Sequence, residues 1–331
     1  MNFLKNWTLP LAMLIGTLGY KVMGYLSFIT PYLIFTMLLL TFCKLSLRDL
    51  RPRLSHLWLL LIEVFGAIVI YFLIAPFDPI VAQGIMICIL CPTATAAAVI
   101  TGKLGGNVAS ITSYTLICNI VVAIIIPILF PIITSDTTYY LPILEGVPAE
   151  GITSSSTYSP PVLGGVPAGG GGSTFNLSLA IMRRIFPLLI CPFLLAQLIR
   201  YALPKVNTCL TSISGFAFYL WAIALTIAMG MTVRSLIEEP TDSHTLILLA
   251  TGSLVACLFQ FFTGKAIGRS SNDTIASGQS LGQKNTILAI WICSAYLHPV
   301  TALAPGLYVI WQNIFNSTQL YLNRQKIKDK R

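Results

Sequence analysis

Charged side chains are scarce in this chain of 331 residues. Asp, Glu, Lys and Arg make up 9% of it and hydrophobic residues 56%, whereas a soluble protein carries roughly 25% charged residues. Five runs contain no charged residue: 22–43, 79–102, 104–135, 206–233 and 285–323. Each run is long enough for the ~20 apolar residues that span a bilayer as a helix. The composition excludes a soluble domain and predicts an all-α protein that lies in a lipid bilayer.

Acidic residues and histidines are also few, with 11 Asp and Glu and three His. An intramembrane enzyme needs paired carboxylates, a nucleophile beside a base, or a metal cluster, and the spacing of these residues fits none of them. The net charge of +9 comes from basic residues at segment ends, where membrane topology places them. We therefore expect no enzyme, no cofactor, no metal site and no nucleic-acid partner.

The apolar segments predict ten transmembrane helices, with both termini in the cytoplasm. Their spans are 7–27, 30–43, 56–75, 79–102, 107–133, 180–202, 210–233, 244–264, 275–297 and 300–322. Fifteen Lys and Arg residues then lie inside and four outside, namely Lys21, Arg183, Arg184 and Arg234. This asymmetry is what the positive-inside rule requires. We expect a multi-pass protein of the plasma membrane, which in a bacterium is the inner membrane.

A segment rich in Gly, Pro, Ser and Thr, residues 134–176, divides the chain into two halves. Its composition is typical of a flexible extracytoplasmic linker, native or engineered. The predicted units are a first repeat at 1–133, this linker, a second repeat at 177–323 and a basic cytoplasmic tail at 324–331. Because each half spans the membrane five times, the halves must be inverted relative to each other, as in many secondary transporters.

The fourth and ninth segments are interrupted by polar and small residues. The fourth contains CPTATAAAVITGKLGGN at 91–107, and the ninth contains Lys284 within SGQSLGQKNTILAIW. A lone lysine in hydrocarbon costs at least ~2.5–3.5 kcal/mol, so it needs a partner or a function. Two broken helices can also present their positively polarised N-termini near the midplane. The pattern predicts a site for a carboxylate or similar anion.

These segments resemble the bile acid–sodium symporter family over most of the chain apart from 134–176. The likeness is carried by Cys91-Pro92-Thr93-Ala94-Thr95, by Gly106-Asn107-Val108-Ala109 after the first broken helix, and by Gly282-Gln283-Lys284-Asn285. A weaker match is Leu61-Ile62-Glu63-Val64-Phe65, where the family has a glutamine in place of the glutamate. The resemblance implies a transporter with a core domain (segments three to five and eight to ten) and a panel domain (one, two, six and seven).

The family binds two sodium ions behind the crossing, and this chain departs from both sites. At the first site the resemblance implies oxygen ligands where this chain has Ala97, Ala98 and Ile111, with only Thr115 and Ser280 polar. Two methyl groups and an isoleucine cannot coordinate a hard cation. At the second site the matching positions are Glu63, Lys284 and Ser280. We hypothesise that a Glu63–Lys284 pair replaces sodium, because pairing lowers the cost of burying either charge.

The resemblance also implies that polar groups at the starts of the broken half-helices contact the substrate. These are Thr93, Thr95, Asn285 and Thr286, and helix capping is the alternative role for each of them. The substrate would be a small organic anion, such as a bile acid, a pantoate-like acid or another carboxylate.

Three coupling mechanisms stay open at this stage. A buried lysine can release its proton in one conformation and so couple transport to protons. A permanent ion pair would instead give a uniporter or exchanger, and residual sodium dependence is the third mechanism. A cation–proton antiporter is a further alternative, although it normally needs an aspartate at the crossing and no acid lies between Asp78 and Asp136.

Overall fold

The computed structural model describes residues 2–45, 50–134 and 174–328. Within them the chain is helical, and the one β-type contact is an isolated bridge between Thr93 and Lys284. The α-helices are α1 Asn2–Leu18, α2 Tyr20–Tyr25, α3 Thr30–Phe42, α4 Leu54–Ile74, α5 Pro79–Leu90, α6 Ala96–Lys103, α7 Val108–Thr134, α8 Thr174–Ala202, α9 Pro204–Ser212, α10 Ala217–Glu238, α11 Ser243–Ser270, α12 Thr274–Gly282, α13 Thr286–Tyr296 and α14 Leu303–Lys328. Short 3-10 turns precede α3, α10 and α14.

Six helical stretches of the described residues are long and apolar enough to cross a membrane. They are Tyr20–Phe42, Leu54–Ile74, Val108–Ile133, Ser178–Ala202, Ala217–Glu238 and Ser243–Ser270, and α5 and α13 are shorter apolar helices. The predicted all-α membrane class is confirmed, whereas ten spans in two inverted repeats stay a prediction. Helix α14 is less apolar than these six stretches, because one side of it carries polar residues such as Gln312 and Asn316, which are buried against protein.

Several predicted boundaries differ from the structure. The first break in the helical backbone falls at Gly19, whereas the predicted spans place it at residues 28–29, where a 3-10 turn continues the helix. Residues 174–176, assigned to the linker, already belong to α8, and 135–173 lie outside the described residues. Helix α14 extends to Lys328, so that the described part of the predicted tail is helical.

The fourth and ninth predicted segments are each split into two helices. Pro92 ends α5, because a residue that precedes proline is driven out of the helical conformation, and Cys91 is extended with ψ 138°. The second break follows Gly282, and Gln283 is likewise non-helical with ψ 89°. The expected interruptions at 91–95 and 283–285 are therefore present.

Two packing groups hold these elements. Helices α1, α2 and α3 pack against α10, and α3 also packs against α8. Around the breaks, α5 packs against α4, α11 and α14, while α12 packs along α11. Helix α7 contacts α8 as well as α6 and α12, so that it connects the broken helices to the first group.

The contact of α11 with α12 depends on glycine. A Cβ placed on Gly264 would lie 2.4 Å from the carbonyl oxygen of Ser277, and one on Gly268 would lie 2.7 Å from that of Asp273. Small residues let helices in membranes approach backbone to backbone. The short helix α12 is thereby held against α11, which fixes the position of the break at 283–285.

We predict that Gly264→Ala destabilises the protein by about 1–3 kcal/mol, because backbone atoms cannot move aside for the new methyl group. Thermal unfolding in detergent measures the effect. The matched control is Gly66→Ala in α4, where the added Cβ has no atom within 4 Å and helix propensity favours alanine by up to about 1 kcal/mol. Equal melting temperatures for Gly264→Ala and the wild type would contradict the close contact of α11 and α12.

Candidate functional site: the crossing of two broken helices

The two breaks are joined through their backbones. The amide of Ala94 donates to the carbonyl of Gln283 at 2.8 Å, and the amide of Asn285 donates to the carbonyl of Pro92 at 2.8 Å. These two bonds form the antiparallel bridge between Thr93 and Lys284. A broken helix leaves backbone groups without partners, and an unpaired group in an apolar medium costs several kcal/mol. Each break therefore supplies partners for the other.

Side chains strengthen the crossing. The hydroxyl of Thr93 donates to the carbonyl of Ser280 at 2.6 Å, and the thiol of Cys91 donates to the carbonyl of Asn285 at 3.1 Å. From α14, the amide oxygen of Gln312 accepts the backbone N–H of Lys284 at 3.0 Å. These contacts fix the backbone of Lys284, so that its side chain starts from a defined point.

Lys284 and Glu63 are brought together in the protein interior. The Nζ atom of Lys284 lies 2.9 Å from Oε1 of Glu63, with the side chains 1% and 0% exposed. The amine meets the carboxylate at an angle outside hydrogen-bond geometry, and Nζ has no hydrogen-bond acceptor within the described chain. Two opposite charges this close and this buried nevertheless attract each other at any angle. The amine keeps N–H donors that can serve a further acceptor.

Helix α7 provides two further partners for Glu63. The hydroxyl of Tyr114 donates to Oε2 in a short hydrogen bond, and the thiol of Cys118 donates to Oε1 at 3.1 Å. Tyr114 and Cys118 are four residues apart and thus share a face of α7. Glu63 lies on the buried face of α4, with Leu59 and Ala67 one turn away on either side. The carboxylate therefore receives two hydrogen bonds as well as the lysine charge.

Four helix ends surround this pair. Helices α6 and α13 begin at the crossing, while α5 and α12 end there. Helix N-termini carry about half a positive charge and C-termini about half a negative charge, so these terms cancel to first order. With Glu63 ionised, the lysine charge is cancelled too. An anion would meet a net positive site only when the Lys284–Glu63 pair is separated or Glu63 is neutral.

The positions implied as the first sodium site form an apolar cluster. Ala97 and Ile111 are fully buried together with Ala276, and Ala98 packs against them. The hydroxyl of Thr115, one turn along α7, donates to the carbonyl of Ile111 at 2.8 Å. Ser280 is the other polar residue implied at this site, and its backbone carbonyl already accepts a hydrogen bond from the hydroxyl of Thr93. This group offers a cation few oxygen atoms.

The four expected substrate-contacting residues differ in exposure. Thr93 and Thr286 are buried, whereas Thr95 and Asn285 are partly exposed. Asn285 caps α13, its side-chain oxygen accepting from the amide of Leu288 at 3.3 Å, while Thr95 at the start of α6 makes no such cap. Asn285 thus has the capping role that was its alternative, and Thr93 links the two breaks.

Sequence reasoning missed Tyr114, Cys118 and Gln312. None of them belongs to a motif; Tyr114 and Cys118 reach the site from α7 and Gln312 reaches it from α14. For Tyr114 and Cys118 one signal was available, since a buried carboxylate needs hydrogen-bond donors and both are spaced to share a helix face near Thr115. His56 is also buried, and its ring contacts that of Tyr114 edge to face, with centroids 5.8 Å apart.

The amino-acid sequence of this chain matches a known protein family. A sequence profile of the SBF-like CPA transporter family matches residues 27–324, which include both broken helices and the ion pair. No curated protein matches the chain. The resemblance to bile acid–sodium symporters is thereby confirmed at the level of the family. With six stretches of its described residues long and apolar enough to cross a membrane, this chain is a multi-pass membrane transporter and belongs to the SBF-like CPA transporter family, which is bile acid–sodium symporter-like.

Proposed function

We propose that this protein is a secondary transporter of a small organic anion, coupled to protons and independent of sodium, with the Lys284–Glu63 pair in place of the bound sodium ions. The observation that carries the proposal is the fully buried contact of Nζ with Oε1 at 2.9 Å, made by a lysine that lies within the second break. An intramembrane ion pair of this kind is costly, and in a transporter it indicates a coupling site.

Sodium independence is supported by the chemistry of the surrounding side chains. Sodium would need about five or six oxygen ligands by the logic that applies to other hard cations. The cluster of Ala97, Ala98 and Ile111 presents hydrocarbon instead. At the position that matches the second sodium site in the family, we propose that the Lys284 ammonium, held by Glu63, supplies the positive charge. Both features disfavour a second cation at the same place.

An anionic substrate is supported by the lysine and the helix ends. The starts of α6 and α13 carry partly exposed Thr95 and Asn285, next to the buried Lys284. N–H groups at helix starts and a lysine ammonium are the donors that carboxylates bind. We propose that the carboxylate binds at this crossing and that the anion is a bile acid, a pantoate-like acid or another small carboxylate.

Alternating access would move a core, built around the broken helices, against a panel that contains α1, α2, α3, α8 and α10. Ten spans, an inverted repeat, cytoplasmic termini and a plasma-membrane location complete the proposal. In such a cycle the Lys284–Glu63 pair would change its proton content between the two conformations, and that change would link proton movement to anion movement.

We predict that uptake of at least one acid into proteoliposomes follows an inward proton gradient. The probes are taurocholate, pantoate and short-chain carboxylates, each measured with sodium and with potassium at equal ionic strength, so that sodium dependence and pH dependence are separated. Replacement of sodium by potassium should leave the rate unchanged. Uptake that requires sodium would reject the proposal, and uptake that follows only the substrate gradient would reject its proton coupling.

We predict that Lys284→Gln lowers the rate of this uptake by at least about tenfold, since removal of one partner of a buried charge pair costs about 2–5 kcal/mol of binding. The matched control is Lys103→Gln, which removes an exposed lysine at the end of α6 and should leave uptake unchanged. If Lys284→Gln showed the uptake rate and the ion dependence of the wild type, the proposed role of the pair would be contradicted. Proton-driven sodium or potassium flux with no acid present would instead favour the antiporter.

We also predict strong energetic coupling between the two charges. Either Glu63→Gln or Lys284→Gln leaves one buried charge without its partner, at a cost of about 3–5 kcal/mol. The double variant leaves neither charge and should be less destabilised than the sum of the two single changes. A double-mutant cycle of unfolding free energies in detergent measures this coupling energy. Additive costs would show that the contact contributes no interaction energy.

A further inference from the structure

A line of polar side chains connects an open cavity to the buried pair. The cavity has a volume of about 420 Å³ and lies where the α6–α7 connection meets the α11–α12 connection, with Asn107 and Asp273 in its wall. The oxygen of the Asn107 side chain accepts the amide of Ser110 at 3.0 Å. Asp273 is paired with Arg53, Oδ2 lying 3.2 Å from Nη1. Polar groups thus line the route inward from this cavity.

His56 contacts both Ser110 and Arg53. Its Nε2 is 2.9 Å from Oγ of Ser110, and its Nδ1 accepts the backbone N–H of Arg53 at 3.4 Å. Since Nδ1 is an acceptor, the neutral ring carries its hydrogen on Nε2 and donates it to Ser110. A histidine bonded through both nitrogens can take up a proton at one and release a proton from the other.

Tyr114 occupies the next position on the route. Its ring packs against that of His56, and its hydroxyl donates to Oε2 of Glu63. Among the described hydrogen bonds, none joins His56 or Ser110 to the Tyr114 hydroxyl, so this step requires a water molecule or a side-chain rotation. His56 is not part of the cavity wall, so the step from the cavity to its Nδ1 atom requires the same, whereas Tyr114, Glu63 and Lys284 are in direct contact.

We propose that this line is the route by which protons reach the ion pair, with Glu63 as the acceptor. The inference rests on the proton coupling proposed above and assigns its path. A hydronium ion in the cavity gives a proton to Nδ1 of His56, and the Nε2–H bond breaks as its proton passes to water beside Tyr114. That water protonates the Tyr114 oxygen while the original Oη–H proton bonds to Oε2. Water and tyrosine are restored and the carboxylate becomes a carboxylic acid, while His56 is left with its hydrogen on Nδ1 and returns to the Nε2–H form by rotation of the ring.

The consequence is a change of charge at the crossing. Neutral Glu63 no longer cancels the ammonium of Lys284, which then stands beside the starts of α6 and α13 as a free cation for the substrate carboxylate. The groups that face His56 are Arg53 from its own helix, Asp273 from the start of α12, and Ser110 and Tyr114 from α7.

Around Glu63 the facing groups are Lys284 from the break between α12 and α13, and Tyr114 and Cys118 from α7. Among these groups Lys284 carries a positive charge both before and after Glu63 takes up its proton. Proton uptake by Glu63 therefore adds one positive charge to the site.

The test is time-resolved infrared spectroscopy on the full chain in proteoliposomes after a downward pH jump. The C=O band of a protonated carboxylic acid reports on Glu63 and is identified by its loss in Glu63→Gln. We expect this band to rise at least about tenfold more slowly in Tyr114→Phe and in His56→Gln, because a positioned proton donor accelerates transfer by 10²–10⁴-fold. Its final amplitude should be retained, which separates a proton path from a merely structural role.

The matched control is Tyr71→Phe. Tyr71 is a buried tyrosine on the face of α4 that carries His56 and Glu63, and its hydroxyl donates to the carbonyl of Ile133. This variant should show the wild-type rate. A wild-type rate in His56→Gln or in Tyr114→Phe overturns that residue's place on the route. No band sensitive to Glu63→Gln overturns the route as a whole, whereas failure of proton-driven uptake is read separately in the transport assay.

Discussion

A lysine buried in an apolar interior must be neutralised, and the contact of Lys284 with Glu63 achieves this at a separation of 2.9 Å. The rest of the site follows from that requirement. Glu63 in turn needs donors, so α7 brings the Tyr114 hydroxyl and the Cys118 thiol to it. Helix α4, helix α7 and the second break must therefore lie together. Since each buried charge is stabilised by the other, we propose that uptake of a single proton separates the pair.

The backbone is arranged to meet the same kind of demand. Two broken helices in a membrane expose amides and carbonyls that lipid cannot satisfy, and the breaks at 91–95 and 283–285 solve this by bonding to each other. Glycine at 264 and 268 lets α12 lie against α11 closely enough to hold that register. A site built on paired breaks has fixed backbone geometry but side chains that can still exchange partners.

The symporter-like family shows how such a scaffold can host different chemistry. Where the resemblance implies oxygen ligands, this chain packs Ala97, Ile111 and Ala276, and where it implies a bound ion there is a tethered ammonium. A tethered charge cannot leave with the substrate, so in the mechanism we propose its charge state changes through a proton. The polar line from Asn107 and Asp273 through His56 to Tyr114 is the route proposed for that proton.

The sequence by itself determined the membrane class and the two interruptions, because hydropathy and Pro92 act locally, and the cost of an isolated buried charge led to the hypothesis that Lys284 has a buried partner. It misplaced the break at Gly19 and the start of α8, since a helix continues through a turn when its neighbours support it. Only the tertiary structure decided that Tyr114, Cys118, Gln312 and His56 meet at the pair. They lie on three different helices, and which of their faces point inward depends on how those helices pack rather than on any spacing along the chain.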